Sequence, residues 1–456
     1  MFGKILVANR GEIALRVLRA CRELGIPTVA VYSEADEKSA HLGLADERVC
    51  LGPGPSAKSY LNIEALLAAA RTTGAEAVHP GYGYLSEKEE FAAVCREAGL
   101  VFIGPTPENL RLAGDKITAK RIMAQAGVPV IPSSPGGVPD LAAALALAGE
   151  IGYPVLIKSS AGGGGRGIRI CHNGRELAEE FPIARLEAGA AFGHDEVYLE
   201  KLIPNPRHVE FQVLADGNGR VIHLGERECT IQRRYQKLIE ESPSPRLTPE
   251  LREEMSRAAI RAAEAVKYLN AGTVEFLVDQ DGRFYFLEIN ARLQVEHPVT
   301  EMVIGLDLVK EQIRLAAGGR LDYSYEDLPR RGWALECRIN AEDPDRGFLP
   351  SPGRVEEYRP PGGFGVRLDT HLYQGYELPI YYDSLVAKLI AWNRTRDGAL
   401  AVMKRALSEF VLRPLKTTIP LYLKVMDDPD FKAGRFDTGF INRFLPEDEG
   451  DEDDED

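Results

Sequence analysis

Residues 288–296, EINARLQVE, put Glu288, Asn290, Arg292, Gln294 and Glu296 at every second position, with Ile289, Ala291, Leu293 and Val295 between them. Period two is the signature of an extended chain, so the polar set falls on one face. On this reading the face begins at Phe284 and Phe286 and runs from aromatic rings into two carboxylates, two amides and a guanidinium. Upstream, Asp281-Gly282 has the chemistry of a two-residue hairpin turn. Pairing Gln280 with Arg283 and counting outward sets Glu275 across from Glu288. Like charges about 5 Å apart across a ladder repel. A hard divalent cation turns that cost into a site, because magnesium takes carboxylate oxygens at about 2 Å, and Asn290 offers a further oxygen. A proton shared by the pair, or splaying into solvent, is the alternative.

A second stretch, AGGGGRGI at 161–168, has four successive glycines, Gly163, Gly164 and Gly165 among them. Backbone N–H groups in such a loop can close on phosphate oxygens. It lacks the G-K-[ST] ending of a Walker loop, and read alone it is equally a flexible surface turn. Lys158 ends the apolar run feeding the loop, and Lys116 stands in GDKITAKR; both can supply cations to phosphates, although a lone lysine is usually only solvated. VYLEKLI (197–203) reads as a strand with Glu200 and Lys201 as polar markers and Ile203 as an apolar wall for a base. An ordinary edge strand is the plain alternative.

The elements that must carry these residues follow from pattern. KILVANRGEIALRVLRACRELGIPTVAVYS is strand, turn, amphipathic helix and strand, a βαβ unit whose helix turns Ile13, Val17, Leu18 and Cys21 to one side. Repetition of the pattern to about residue 105 predicts an open, mostly parallel sheet. ANRGEIAL lacks G-x-G-x-x-G, so a dinucleotide is not expected there. Pro/Gly-rich 127–140 marks a hinge, and IGYPVLIKSSAGGGGRGIRIC gives strand, loop, strand, implying a mobile lid. Thr248-Pro249 opens a helix as N-cap and first helical residue. A β-rich region follows RRGWALECRINAEDP and ends in a helix at DGALAVMKRALSEF.

The formal charge of −14 over 456 residues argues against non-specific binding to nucleic acid or anionic membrane. No signal peptide or membrane span is legible, and a cytoplasmic protein is expected. Six dispersed cysteines without a C-x-x-C pair read as buried free thiols rather than a zinc site or disulfide framework. The acidic end, EDEGDEDDED, is expected to be solvated and dispensable.

The motifs HPGYGYLSE, GGGGRG, NPRHVEFQVLAD, ERECTIQRRYQKLIEESPSP, NARLQVEHPVTEM, ECRINAEDP, FLPSPG and YYDSLVAKLI occur in this order. Together they resemble the biotin carboxylase component of biotin-dependent carboxylases, an ATP-grasp enzyme, to about residue 425. The resemblance implies an α/β (α+β overall) chain: a Rossmann-like N-terminal domain at 1–115, an ATP-grasp domain at 116–330 with a mobile glycine-rich lid over about 131–203, a β-rich C-terminal domain at 331–445, and an acidic tail at 446–456. It implies that Lys116, Lys158, the glycine loop, Glu200, Lys201, Ile203, His208 and Gln232 hold ATP, and that Glu275, Glu288 and Asn290 hold magnesium or manganese. Lys237, Arg292, Gln294, Val295 and Glu296 would hold bicarbonate, with Glu296 its base, and Arg338 would stabilise the biotin enolate. Biotin is then a substrate on a separate carrier protein, carboxyltransferase subunits are partners, and a homodimer is expected through a surface that includes Arg19, Glu23, Phe364 and Arg367. A structural salt bridge of Arg338 with Glu336 or Glu342 is the plain alternative for that arginine.

The chemistry expected is ATP-dependent carboxylation of biotin through carboxyphosphate. The expected assembly is acetyl-CoA carboxylase of fatty acid biosynthesis, with a pyruvate or propionyl-CoA carboxylase as the alternative. A different ATP-grasp carboxylate ligase, or a nucleotide-sensing module without catalysis, are the rivals; a binding module has no need of Glu296, Arg292 and Arg338.

Overall fold

The computed structural model describes residues 1–159 and 168–445; the glycine loop with Gly163, Gly164 and Gly165, and the acidic tail, lie outside the described residues. The chain opens as β1 (Ile5–Val7), α1 (Gly11–Glu23), β2 (Thr28–Ser33), β3 (Glu47–Gly52), α2 (Ile63–Thr73), β4 (Ala77–His79), α3 (Glu89–Glu97) and β5 (Val101–Phe102). These strands form one parallel sheet in the order β3-β2-β1-β4-β5. Ile5, Leu6 and Val7 are fully buried because helices cover both faces, as a parallel sheet requires. The apolar side of α1 packs Ile13, Val17, Leu18 and Cys21 into this core, as expected from its period.

Helices α4 (Pro107–Gly114) and α5 (Lys116–Gln125) follow; Asp115 caps α5 by accepting the Thr118 N–H at 3.0 Å. Helix α6 (Leu141–Ile151), β6 (Val155–Ser159), β7 (Arg169–Cys171), α7 (Gly174–Phe192) and β8 (Val197–Lys201) then build a small unit with a β7-β6-β8 sheet. Its core, including Ala144, Ala148, Val155, Ile157, Leu177 and Leu199, is separate from the others. That independence is what a lid needs.

The site rests on a larger sheet. β9 (Arg207–Ala215), β10 (Val221–Arg233), β11 (Gln236–Ser242), α8 (Pro249–Ala265), β12 (Asn270–Val278), β13 (Phe284–Asn290), α9 (His297–Ile304), α10 (Leu308–Ala316) and β14 (Trp333–Asn340) follow in chain order. Eight antiparallel strands run β13-β12-β9-β10-β11-β14, then Leu385–Asn393 and Val366–Thr370. Pairing of β11 with β14 carries the sheet across residue 331, so the start of the β-rich region in sequence is not a break in hydrogen bonding. Helix α8 begins as expected, with Thr248 accepting the Leu251 N–H.

The hairpin of β12 and β13 departs from expectation at its tip. The loop has three residues, Gln280-Asp281-Gly282, closed by Asp279 N–H to the Arg283 carbonyl at 2.8 Å, with Gly282 at φ +83°. A left-handed third residue is the usual end of such a loop. Phe276 therefore faces Phe286, one step out of the expected register, and a bulge at Leu287 restores Glu275 opposite Glu288. The bulge also turns the strand over. Phe284 and Phe286 share the apolar face with Ile289 and Ala291, not the polar face with Glu288. The strand ends at Asn290, and Glu296 is already turning into α9 at φ −80°, ψ 9°.

Five of the six cysteines are buried free thiols, but Cys50, on edge strand β3, is exposed. Among the described residues no helix is long and apolar enough to cross a membrane.

Candidate active site

Register places a rank of charges across four strands. Glu288 of β13 faces Glu275 of β12, Glu275 faces Glu210 of β9, and Glu210 faces Arg227 of β10. Arg227 is wholly buried, and such a guanidinium survives only with its donors satisfied. Its Nε donates to Glu210 at 2.5 Å, Nη1 to Gln212 at 2.7 Å and Thr300 at 3.1 Å, and Nη2 to Thr273 at 3.0 Å. Lys237 of β11 reaches over this row. Its ammonium donates to Glu210 at 2.5 Å, Glu275 at 2.9 Å and Glu296 at 2.7 Å.

Glu296 is the far anchor of the network. Its second oxygen accepts from Arg338 Nη2 at 2.9 Å, while Arg338 Nε donates to Glu240 at 2.6 Å. Arg338 therefore pairs with neither Glu336 nor Glu342, the two partners of the plain alternative. Burial opposes ionisation of Glu296, but Lys237, Arg338 and Arg227 outweigh it and hold the carboxyl well below the usual range. For Glu275 the balance is the same, with Lys237 and His208 overcoming burial. For Glu210 burial wins over Lys237 and Arg227, and the carboxyl is raised.

The remaining polar residues of the stretch lock together. Arg292 donates to Gln294 Oε1 at 2.7 Å and Asn290 Oδ1 at 3.2 Å, and its Nε lies 3.0 Å from Glu87. Asn290 and Gln294 each donate to Glu275 Oε1, at 2.7 and 3.1 Å. His208 Nε2 lies 2.8 Å from the other Glu275 oxygen. Val295 enters through its backbone, whose carbonyl accepts from Lys388 at 2.9 Å. Gln232 pairs with Lys237 across the β10–β11 ladder.

At the other end, Lys116 lies 3.2 Å from Glu288. Lys158 bonds to Glu200, which is 1% exposed, and Ile203 is buried just beyond it. Lys201 goes elsewhere: its ammonium donates to the carbonyls of Gly152 and Tyr153 at 2.9 and 2.8 Å. Glu275 and Glu288 face each other across the ladder, and the Asn290 amide donates to Glu275 through its nitrogen while its oxygen accepts from Arg292.

Glu87, Lys120, Glu210, Arg227 and Glu240 complete this network and were not singled out by sequence pattern. Glu210 had a usable signal, since HVEFQV alternates and sets His208, Glu210 and Gln212 on one face. Glu240 and Lys120 had none, because their partners lie in distant segments.

The comparisons with known proteins define the class in stages. Residues 115–324 match the carbamoyl-phosphate synthase L chain ATP-binding domain. This unit is flanked by matches to the biotin carboxylase N-terminal domain at 1–110 and the biotin carboxylase C-terminal domain at 336–443. A biotin carboxylase of Nostoc sp. is 56% identical over 440 residues, 96% of this chain and 98% of the relative. Biotin carboxylase 1 of Bacillus subtilis is 54% identical over 97% of this chain and 99% of its own length. The biotin carboxylase domain dimer of Hydrogenobacter thermophilus 2-oxoglutarate carboxylase, solved with MgADP, ADP and bicarbonate, superposes with TM-score 0.93 at 53% identity, covering 97% of this chain and 98% of that one. The chain belongs to the biotin carboxylase family.

Proposed function

We propose that this protein uses ATP and bicarbonate to carboxylate biotin carried on a separate protein, and that it does so with the residues just described. The observation that supports this most is the convergence of Lys237 and Arg338 on Glu296 at the end of the carboxylate rank, with Arg292 held nearby on Gln294 and Asn290. Lys116, Lys158, the glycine loop, Glu200, Lys201 through its backbone, Ile203, His208 and Gln232 would bind the nucleotide. Glu275, Glu288 and Asn290 would hold magnesium or manganese, which neutralises phosphate charge when bound.

Bicarbonate is a poor nucleophile. Lys237 and Arg292, with the Gln294 amide and the Val295 backbone, orient its oxygens, and Glu296 takes its proton as one oxygen attacks the γ-phosphorus and ADP leaves. In the resting arrangement Lys237 and Arg338 keep Glu296 ionised and a weak base. When an anionic substrate draws these cations away, its basicity rises. Carboxyphosphate then separates into CO2 and phosphate, the phosphate accepts the ureido N–H proton of biotin, and the nitrogen attacks CO2 while Arg338 faces the charge on the ureido oxygen.

The three-part division at 1–115, 116–330 and 331–445, with a lid over about 131–203, is the working domain scheme, supported by the self-contained core of the small unit. A homodimer is supported by the Hydrogenobacter dimer and by exposed Arg19 and Phe364, the latter 84% exposed; Glu23 and Arg367 also engage within the chain, with Lys310 and with Glu301 and Asp369. A cytoplasmic acetyl-CoA carboxylase, with a biotinylated carrier and carboxyltransferase subunits, is the assembly we assign. The Nostoc and Bacillus biotin carboxylases, matched over 98% and 99% of their own lengths, support a carboxyltransferase on a separate chain, and the Hydrogenobacter relative marks 2-oxoglutarate as a competing acceptor.

Oxygen-labelled bicarbonate with free biotin tests the chemistry. One labelled oxygen is expected in the released phosphate, because the bridging oxygen of carboxyphosphate stays with phosphorus. Unlabelled phosphate, or AMP with pyrophosphate, overturns the reading. Transfer from the co-purified biotinylated carrier to acetyl-CoA supports the acceptor; transfer to a 2-oxo acid instead refutes it.

A further inference from the structure

Lys116 and Lys120 stand one turn apart on α5, so both side chains leave the same helix face. Lys116 goes to Glu288 at 3.2 Å. Lys120, 8% exposed, reaches the three-stranded unit and bonds Oε2 of Glu200, whose Oε1 is taken by Lys158. The Tyr198 ring, with its centroid 5.4 Å from the Lys120 ammonium, adds only a weak attraction. Three ammonium groups thus serve two carboxylates, one positive charge in excess, with Glu200 buried and the Lys116–Glu288 end open to solvent. That excess suits a polyphosphate.

Two lysines on one buried carboxylate need a reason. A buried carboxylate is stable only while paired, and stripping its last cation is costly. If Lys158 is to turn toward a phosphate, as the nucleotide reading above requires, Glu200 must keep another cation. Lys120 meets that need, since it holds the opposite oxygen and is anchored on a different element from Lys158. We propose that Lys120 is a positioning residue of the nucleotide site: it retains Glu200 so that Lys158 is free to engage the phosphates of a nucleoside triphosphate. Lys120 acts through Glu200 rather than on the nucleotide, and the proposal rests on the nucleotide reading.

The test is calorimetric titration of the full-length protein with magnesium and a non-hydrolysable ATP analogue. Lys120→Met is expected to bind the analogue about ten-fold more weakly, with the kinetic loss carried by the KM for ATP more than by the KM for bicarbonate or the rate at saturating ATP. Lys120→Arg restores binding. Adding Glu200→Gln to Lys120→Met brings affinity back to that of Glu200→Gln alone, because no carboxylate remains to trap Lys158. Unchanged affinity in Lys120→Met overturns the proposal, and so does a loss that persists undiminished in the double variant, which marks a packing role. If Lys120→Met does not fold, Lys120→Gln carries the same comparisons. Failure of the unmodified protein to bind the analogue refutes the nucleotide reading itself.

Discussion

Several glutamates face one another across the eight-stranded sheet, and two of these pairs have surroundings with little in common. Glu275 and Glu288, on β12 and β13, are bathed in donors: Lys237, Asn290, Gln294 and His208 around the first, Lys116 beside the second. Glu240 and Glu336, on β11 and β14, are wholly buried behind Arg338. Arg338 binds one Glu240 oxygen, and among the described residues the other Glu240 oxygen and both Glu336 oxygens have no hydrogen-bond partner. Burial pushes Glu240 up to about 7 against the pull of Arg338, with Glu296 adding to the rise. Glu336 is raised well above the carboxylate range by burial, despite Lys388. One motif yields two chemistries. In the front pair, Lys237 and His208 favour the ionised form of Glu275; in the rear pair, burial favours the protonated forms of Glu240 and Glu336.

Breaking the front site is expected to give the largest effects. Glu296→Gln removes the proposed base at the end of the rank and should lower bicarbonate-dependent ATP cleavage by about 10²–10⁴-fold, read by steady-state kinetics. Full activity would deny Glu296 its role. Glu288→Gln should raise the magnesium requirement about 100-fold or abolish turnover while the melting temperature holds or rises, since it relieves like-charge repulsion. An unchanged magnesium titration would remove the metal from this pair.

Arg338 joins the two regions. Arg338→Gln should cut biotin carboxylation about 10²–10³-fold, more deeply than bicarbonate-dependent ATP cleavage, as an arginine acting in the second half-reaction must. Equal loss in both assays would move it to the first step. The same substitution leaves Glu240 without its guanidinium, so a drop in melting temperature at neutral pH should accompany it.

The rear pair sharpens the contrast through pH. An isolated glutamate releases its proton near 4.5, whereas folded Glu240 keeps it to about 7. Between those values the folded state binds the extra proton, so this group's contribution lowers stability as pH rises through the window. In Glu240→Gln that slope disappears, and melting temperatures measured from pH 5 to 8 should decline less than in the parent. Superimposable profiles would mean the pair is not proton-bound. Glu336→Gln should be the mildest change, within about 1 kcal/mol of the parent by denaturant unfolding at pH 7, because an amide replaces a carboxyl whose charged form burial disfavours.

Much was legible from local pattern. The period of α1, the parallel sheet, the Thr248-Pro249 helix start and the pairing of Glu275 with Glu288 all follow from residues near one another in the chain. The last of these came out right although its counting did not. The three-residue loop shifted the register by one, and the bulge at Leu287 shifted it back, while turning Phe284 and Phe286 to the core. Side-chain period is local and survives in sequence; a bulge depends on what the partner strand and the core demand, and leaves little trace there.

The sequence by itself determined which polar residues fall together along the stretch from Glu288 to Glu296, because alternation and turn chemistry act over a few residues. Tertiary structure alone decided who their partners are. Glu210 and Arg227 complete the rank, Glu240 shares Arg338 with Glu296, and Lys120 meets Glu200, each through strands or helices distant in the chain. Burial then set their charge, since a carboxylate's proton affinity follows from the cations and solvent that folding leaves beside it. That is why glutamates indistinguishable in the sequence diverge in the fold, Glu275 held below the usual carboxylate range and Glu240 and Glu336 raised above it.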